Sequence, residues 1–437
     1  MRVLLVVATL LWSSRVLAAG ALDAATREAG KSLVAPSGAS LVVAAPLASD
    51  QSVIKVDDLA LRVAALLAGC IGAGARAHPQ TAQLATARAL AGRASALVYV
   101  QTEIARGDLR VTVDVYPSMG NAWDRIRNPL PSPTGHAFAT VKVDAEVRSY
   151  LSPLLLEQAS ISRARTDEAE VSALACGDFD GDGGNEIVLV SRERVALGRI
   201  RDGAFVVERA ASWGTLGPKL PVPMREAIGG AVVQTGRIAI GTTERGGVAL
   251  SSDFGKHDAL AGIPVWGGDG PVCLRAEPSA GSFDGAPIDC APTRDIRPKM
   301  AVPAPRFDAF AATTASDAAG VPRLVVAVRE PSGKVRLKCG DASAQPDGTF
   351  GAQLALGDLD EDGVPEIVTT GDGPDDGITI GSWDPFKGDL RPRLHVPAPA
   401  GVRALAVCPP EARGEPALVA VVGGEVWVIR AAVQERR

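Results

Sequence analysis

Aromatic side chains make up only 4% of these 437 residues, histidine occurs four times, and neither lysine nor arginine gathers into a basic run. Each shortage removes a class of function. His78, His136, His257 and His395 stand far from one another and from cysteine, so no histidine-based metal site follows from spacing. Neither a Gly-x-Ser-x-Gly elbow nor a Cys-x-x-Cys pair occurs, which removes the usual marks of a serine hydrolase or a dithiol centre. With 45 basic against 50 acidic residues and a net charge of −5, nucleic acid is excluded as a partner. Six cysteines, at 70, 176, 273, 290, 339 and 408, are too few and too scattered for a disulfide-dependent miniature fold. Cys273 and Cys290 flank a turn rich in Gly and Pro and are the leading pair for a bridge, the alternative being six buried free thiols.

Residues 1–18 read as an export signal: Arg2, an apolar stretch from Val3 to Trp12, then Val16-Leu17-Ala18 ahead of Ala19. That stretch falls short of the roughly 18 residues a spanning helix needs, and no cysteine follows it to carry a lipid. The mature chain is therefore expected to be exported, periplasmic or extracellular, with no transmembrane segment.

Residues 19–117 alternate helical and strand patterns. Helices are expected over 22–33, from Asp57 or Asp58 to Gly69 with Leu59, Val63, Leu66 and Leu67 on one face, and after a Thr81 cap through Leu84, Arg88 and Ala91. Strands are expected over 41–45, 97–104 and 109–116, the last two joined by Arg106-Gly107-Asp108, a tripeptide read as hairpin chemistry. Gly69, Gly72 and Gly74 follow a helix instead of a strand and so form no dinucleotide loop. The order predicts a small α/β domain, and in order and spacing it resembles the N-terminal domain of TolB and the FlgO-like domains of bacterial envelope proteins. Residues 118–136, with Pro129, Pro131 and Pro133, read as a linker. The segments 138–147 and 154–165 are strand-like and are placed beside the sheet to which the C-terminus returns.

Two loops organise the remaining chain, 137–437. Asp178-Phe179-Asp180-Gly181-Asp182-Gly183-Gly184-Asn185-Glu186 carries carboxylates at positions one, three, five and nine, and Asp358-Leu359-Asp360-Glu361-Asp362-Gly363-Val364-Pro365-Glu366 repeats the pattern. Acids so crowded repel one another unless a cation sits among them, and calcium, which takes about 6–8 oxygens, suits the set. Strand patterns flank both loops, and position twelve is Leu189 or Thr369, which separates them from the helix-flanked EF-hand with its terminal Glu. Asp372-Gly373-Pro374-Asp375-Asp376-Gly377 is also acidic, but Pro374 breaks the alternation, so it reads as a hairpin turn.

Strand, acidic loop, strand resembles the FG-GAP repeats of integrin α-like propellers and the VCBS repeats. The resemblance implies two calcium sites: Asp178, Asp180, Asp182 and Glu186 with the carbonyl of Gly184, and Asp358, Asp360, Asp362 and Glu366 with the carbonyl of Val364. Acid-free echoes of the trailing half, Gly320-Val321-Pro322-Arg323-Leu324-Val325 and Gly414-Glu415-Pro416-Ala417-Leu418-Val419, with weaker ones at Gly236 and Gly285, give a period of about 46 residues. That period suits propeller blades, six in number, or seven if 138–150 forms one of its own. The fold expected is thus multidomain, a small α/β domain followed by an all-β propeller. The metal reads as a structural clip, so the function expected is non-enzymatic binding or scaffolding of a protein or glycan ligand in the cell envelope or outside the cell. The alternative class is a propeller-type hydrolase or lyase acting on a glycan. The two-part layout also resembles TolB as a whole, whose propeller repeats lack the acidic loop.

Overall fold

Leu109, Val111, Val113 and Val115 alternate with polar residues, a pattern that sends one strand face into a core. The computed structural model of the chain builds a five-stranded sheet on it. It describes residues 21–33, 38–47, 56–92, 94, 96–105, 108–117, 131–143, 145–217, 227–255, 257–277, 281–292, 298–316, 321–371, 376–386, 389–411 and 415–433. Residues 1–18, expected from the sequence to be an export signal, most of the Pro-rich linker, Arg106-Gly107, the echo glycines Gly320 and Gly414, and residues 372–375 lie outside these.

The sheet runs Ala75–Ala77, Ser40–Ala44, Ala96–Ala105, Asp108–Pro117, Gly135–Lys142, parallel across the first three strands and antiparallel after. Helices Ala21–Ser32 and Val56–Ile71 bury Leu22, Leu59, Val63 and Leu67 against Val98, Val111 and Val113. Helix Leu84–Ala91 covers the other face over Val43, Leu97 and Tyr99. Three details differ from the sequence expectation. The second helix passes Gly69, where a Cβ would meet nothing within 4 Å, and gives way at Gly72, whose φ of 125° suits glycine alone. Thr81 does not cap the third helix; its hydroxyl donates to Asp57 at 2.9 Å, and Gln83 stands at the cap without a side-chain bond. Residues 135–142 join this sheet and not the C-terminal one, because Ala137 and Ala139 bury into the helical core while Phe138 points out. The chain then makes a helical turn, Ala145–Arg148.

Beyond residue 150 every described sheet is antiparallel except for one parallel contact between Arg165 and Ala204. The first strands of successive sheets, Val171–Gly177, Gly229–Gln234, Ile263–Trp266, Ala309–Ser316, Leu354–Gly357 and Val402–Cys408, each touch the next, and the last touches the first. This is a propeller-type arrangement, sheets set around a central channel. Closure uses both ends of the segment: Leu154–Arg165 pairs antiparallel with Glu425–Val433, with the Arg163 guanidinium 4.3 Å from the centre of the Trp427 ring. That is the place the sequence assigned to 154–165. Among the described residues no helix is long and apolar enough to cross a membrane.

The first strands of neighbouring sheets approach closely. A Cβ on Gly357 would lie 2.5 Å from Val407 of the neighbouring sheet. Gly357→Ala should therefore cost about 1–3 kcal/mol through overpacking, read as a lower melting temperature; an unchanged one would mean the two strands separate freely. Two disulfides add covalent closure. Cys273–Cys290 spans 17 residues, and Cys176–Cys408, spanning 232, joins the strands Val171–Gly177 and Val402–Cys408 that lead the first and last sheets of the cycle. The sequence pointed to the first bridge and gave no sign of the second. Cys70 and Cys339 take part in neither disulfide.

Candidate metal centre

Both acidic loops connect the first and second strands of their sheets, and they are built alike. Position six turns left-handed, with φ 95° at Gly183 and 86° at Gly363; so does position four, Gly181 at 81° and Glu361 at 53°. A side chain at such angles is strained, so glycine is favoured there. In each loop the Glu at position nine folds back to accept from the position-two amide, Phe179 N to Glu186 Oε2 and Leu359 N to Glu366 Oε2, both 2.6 Å. Asp178 and Asp358 accept from the amides of Gly183 and Gly363 at 3.1 and 3.0 Å. Phe179 and Leu359, each 2% exposed, anchor the loops in the core.

This folding gathers three carboxylates in each loop. Oxygens of Asp178, Asp180 and Glu186 lie within 4.8 Å of one another, as do those of Asp358, Asp360 and Glu366. Asp182 and Asp362 do not join these sets; they accept from the amides of Gly184 and Val364 at 2.8 and 2.7 Å, tying down the position-seven residues whose carbonyls the resemblance assigned to the metal. Two such triads could each hold a cation, and their oxygen-only chemistry fits a hard ion.

The surroundings contain arginines that the motif does not mention. In the first loop Arg199 donates to Glu186, to Asp182 at 2.8 Å and to Asp180 at 3.1 Å. In the second, Arg393 donates to Asp360 at 2.8 Å, to the Ser382 hydroxyl at 2.8 Å and to Glu157. Ser382 in turn donates to Glu366 at 2.7 Å. Arg148, from the helical turn below the five-stranded sheet, lies 3.2 Å from Asp358 Oδ2. Its neighbour Val147 is fully buried in the helical core, so the first domain reaches this loop directly.

Burial dominates the second loop's electrostatics. It pushes the Asp358 carboxyl up to about 7, against the pull of Arg148. It also raises Asp360, with Asp362 adding to the effect, and Glu366, with Asp360 and Asp358 adding. In the first loop the Gly184 amide, then Arg199, hold the Asp182 carboxyl below its ordinary value.

A channel of about 1760 Å³ is walled by the ring of first strands, and Asp178 and Asp358 of the loops line it together with Asp108 and Arg148 from the five-stranded sheet and the helical turn after it. Away from the loops the channel lining includes the acids Glu170, Glu244 and Asp308, of which Glu170 pairs with Arg192 and Asp308 with Arg329.

No protein-family profile matches the chain. No curated protein matches it either. Among solved structures it is similar to the WD40 repeats of RRP9, at 11% identity and a TM-score of 0.40, over 64% of this chain and 99% of that one. It is also similar to TolB from Acinetobacter baumannii, at 12% identity and a TM-score of 0.31, over 92% of this chain and 96% of that one. A third likeness is to the SapL1 lectin in complex with alpha methyl fucoside, at 13% identity and a TM-score of 0.35, over 64% and 99% of the two chains. The propeller-type architecture rests on the sheet order and the closed cycle of first strands.

Proposed function

We propose that this chain is an exported, calcium-stabilised β-propeller protein of the FG-GAP/VCBS type that acts as a non-enzymatic binding or scaffolding module in the cell envelope or outside the cell. Six blades are supported by the six first strands in the cycle. The third blade is degenerate, two strands extended by single bridges at Ile288 and Pro298. The five-stranded sheet with its helices serves as the TolB-N/FlgO-like domain ahead of the ring. The observation that carries the calcium reading is the pair of equivalent carboxylate triads, because one such loop could be chance and two of the same hydrogen-bond design mark a repeated site. Two disulfides support an oxidising compartment. Pairing of Glu170 and Asp308 with arginines counts against a carboxylate pair working on a glycan, so the ligand of the channel face is a protein or glycan that is bound and not cleaved.

Calorimetric titration of the chelator-treated chain with calcium tests the reading. The wild type should bind calcium and melt higher in its presence, by about 2.7 kcal/mol per filled site at one hundred times Kd. The Asp180→Ala, Asp360→Ala double variant should do neither. A wild type with no heat of binding and no shift in melting overturns it.

A further inference from the structure

The two loops differ at one position that the motif does not contain. In both, Ile of the second strand pairs with Gly of the third, Ile187 with Gly198 and Ile367 with Gly381. The residue one step beyond therefore faces the Glu at position nine. In the first loop it is Arg199; in the second it is Ser382. Arg199 is long enough to reach through the loop, and its guanidinium donates to Glu186, Asp180 and Asp182 together. Charge-assisted bonds of this kind are among the strongest a carboxylate can make. A calcium ion entering here would have to displace them.

Ser382 offers Glu366 one neutral hydroxyl, which leaves the second loop short of cation inside. Arg393 approaches from the fourth strand and, within the carboxylate triad, engages only Oδ2 of Asp360, while Arg148 faces Oδ2 of Asp358. The Oδ1 atoms of both aspartates are buried with no hydrogen-bond partner among the described residues. Asp360 is 6% exposed, and it belongs to the converging triad with Asp358 and Glu366. Hydration differs in the same direction at position three: the Asp180 side chain is 44% exposed and that of Asp360 2%. A dry, underpaired carboxylate cluster gains more from a cation than a wet one already holding a guanidinium.

We infer that the chain binds one calcium ion, in the second loop, and that Arg199 is the built-in cation of the first, so the residue facing the position-nine Glu decides whether such a loop takes metal. The inference rests on the calcium reading above and sharpens it from two filled loops to one.

Calcium titration of chelator-treated single variants separates the two. The wild type should bind one ion per chain, Asp180→Ala should still bind one, and Asp360→Ala none. Arg199→Ser should gain a second site, and Arg199→Gln, which keeps a hydrogen-bonding side chain but removes the charge, guards against misfolding of the serine variant; a melting curve verifies that each is folded. Two ions bound by the wild type, or a folded Arg199 variant that still binds one, overturn the inference and leave the calcium reading intact. No binding to the wild type overturns the reading itself.

Discussion

Replacing Cys176 and Cys408 with serine should lower the stability of the oxidised chain by as much as about 5 kcal/mol, the largest effect of any pair of substitutions considered. In the chain-entropy account a disulfide acts by restricting the unfolded state, and the effect grows with the length of the closed loop. Here the separation is 232 residues, the whole span from the first strand of the ring to the first strand of the last sheet. The Cys273–Cys290 bridge closes only 17 and should give about 3 kcal/mol. The contrast tests the mechanism better than either value. Melting of the two double-serine variants beside the oxidised wild type should show the greater drop for Cys176/Cys408. If the short bridge matters more, the ring is held closed by its strand contacts and the long disulfide is incidental.

Without calcium, stability should fall as pH rises from about 4.5 through neutrality, which is opposite to the behaviour of most carboxylate-rich proteins. Asp358, Asp360 and Glu366 have folded-state values raised above their ordinary ones, mainly by burial. The folded chain therefore holds protons that the unfolded chain has released. Stability is full below the ordinary carboxylate range and is lost as pH rises through the folded values, about 7 for Asp358. Each proton held contributes a slope of about 1.4 kcal/mol per pH unit. Under the proposed calcium reading the ion takes the place of those protons, so saturating calcium should flatten the slope and release protons on binding. Melting temperature against pH, in chelator and in excess calcium, gives both lines. Parallel lines would mean that the second loop's carboxylates are already balanced without metal.

The sequence revealed what is periodic and local. The triplet Gly-x-Pro followed by aliphatic residues marks second strands of sheets at Pro322–Arg329 and Ala417–Val422, and Gly236 precedes a third such strand. Repetition makes this visible, since each blade buries the same face. The acidic loops were legible because their ligands come from one short segment. Arg199 was not, although its place follows from a two-residue turn between Ser191 and Arg194: the register pairs Ile187 with Gly198 and leaves Glu186 facing Arg199. Finding it needs the turn position, which the Arg192-Glu193 sequence does not declare. Arg148 and Arg393 come from other elements altogether. Cys176 and Cys408 carry no local signal, since only ring closure brings their Cα atoms to 5.3 Å. The strand Ala75–Ala77 is too short to alternate, and the segment 138–147, expected beside the C-terminal sheet, instead gives its first residues to the five-stranded one because its strand pattern suits either.

The borrowed strand Leu154–Arg165 also sets a timetable. Its partner, Glu425–Val433, is synthesised only after all six first strands of the ring. Until that segment arrives, 154–165 presents an open edge with Ile161 outward, the kind of edge that recruits other chains. Closure by the most distant pairing in the ring is also a slow step for a chain of this topology. The segment's Arg163 and Arg165 place charge on that waiting edge, and so the strand that completes the ring also carries its own deterrent to premature partners.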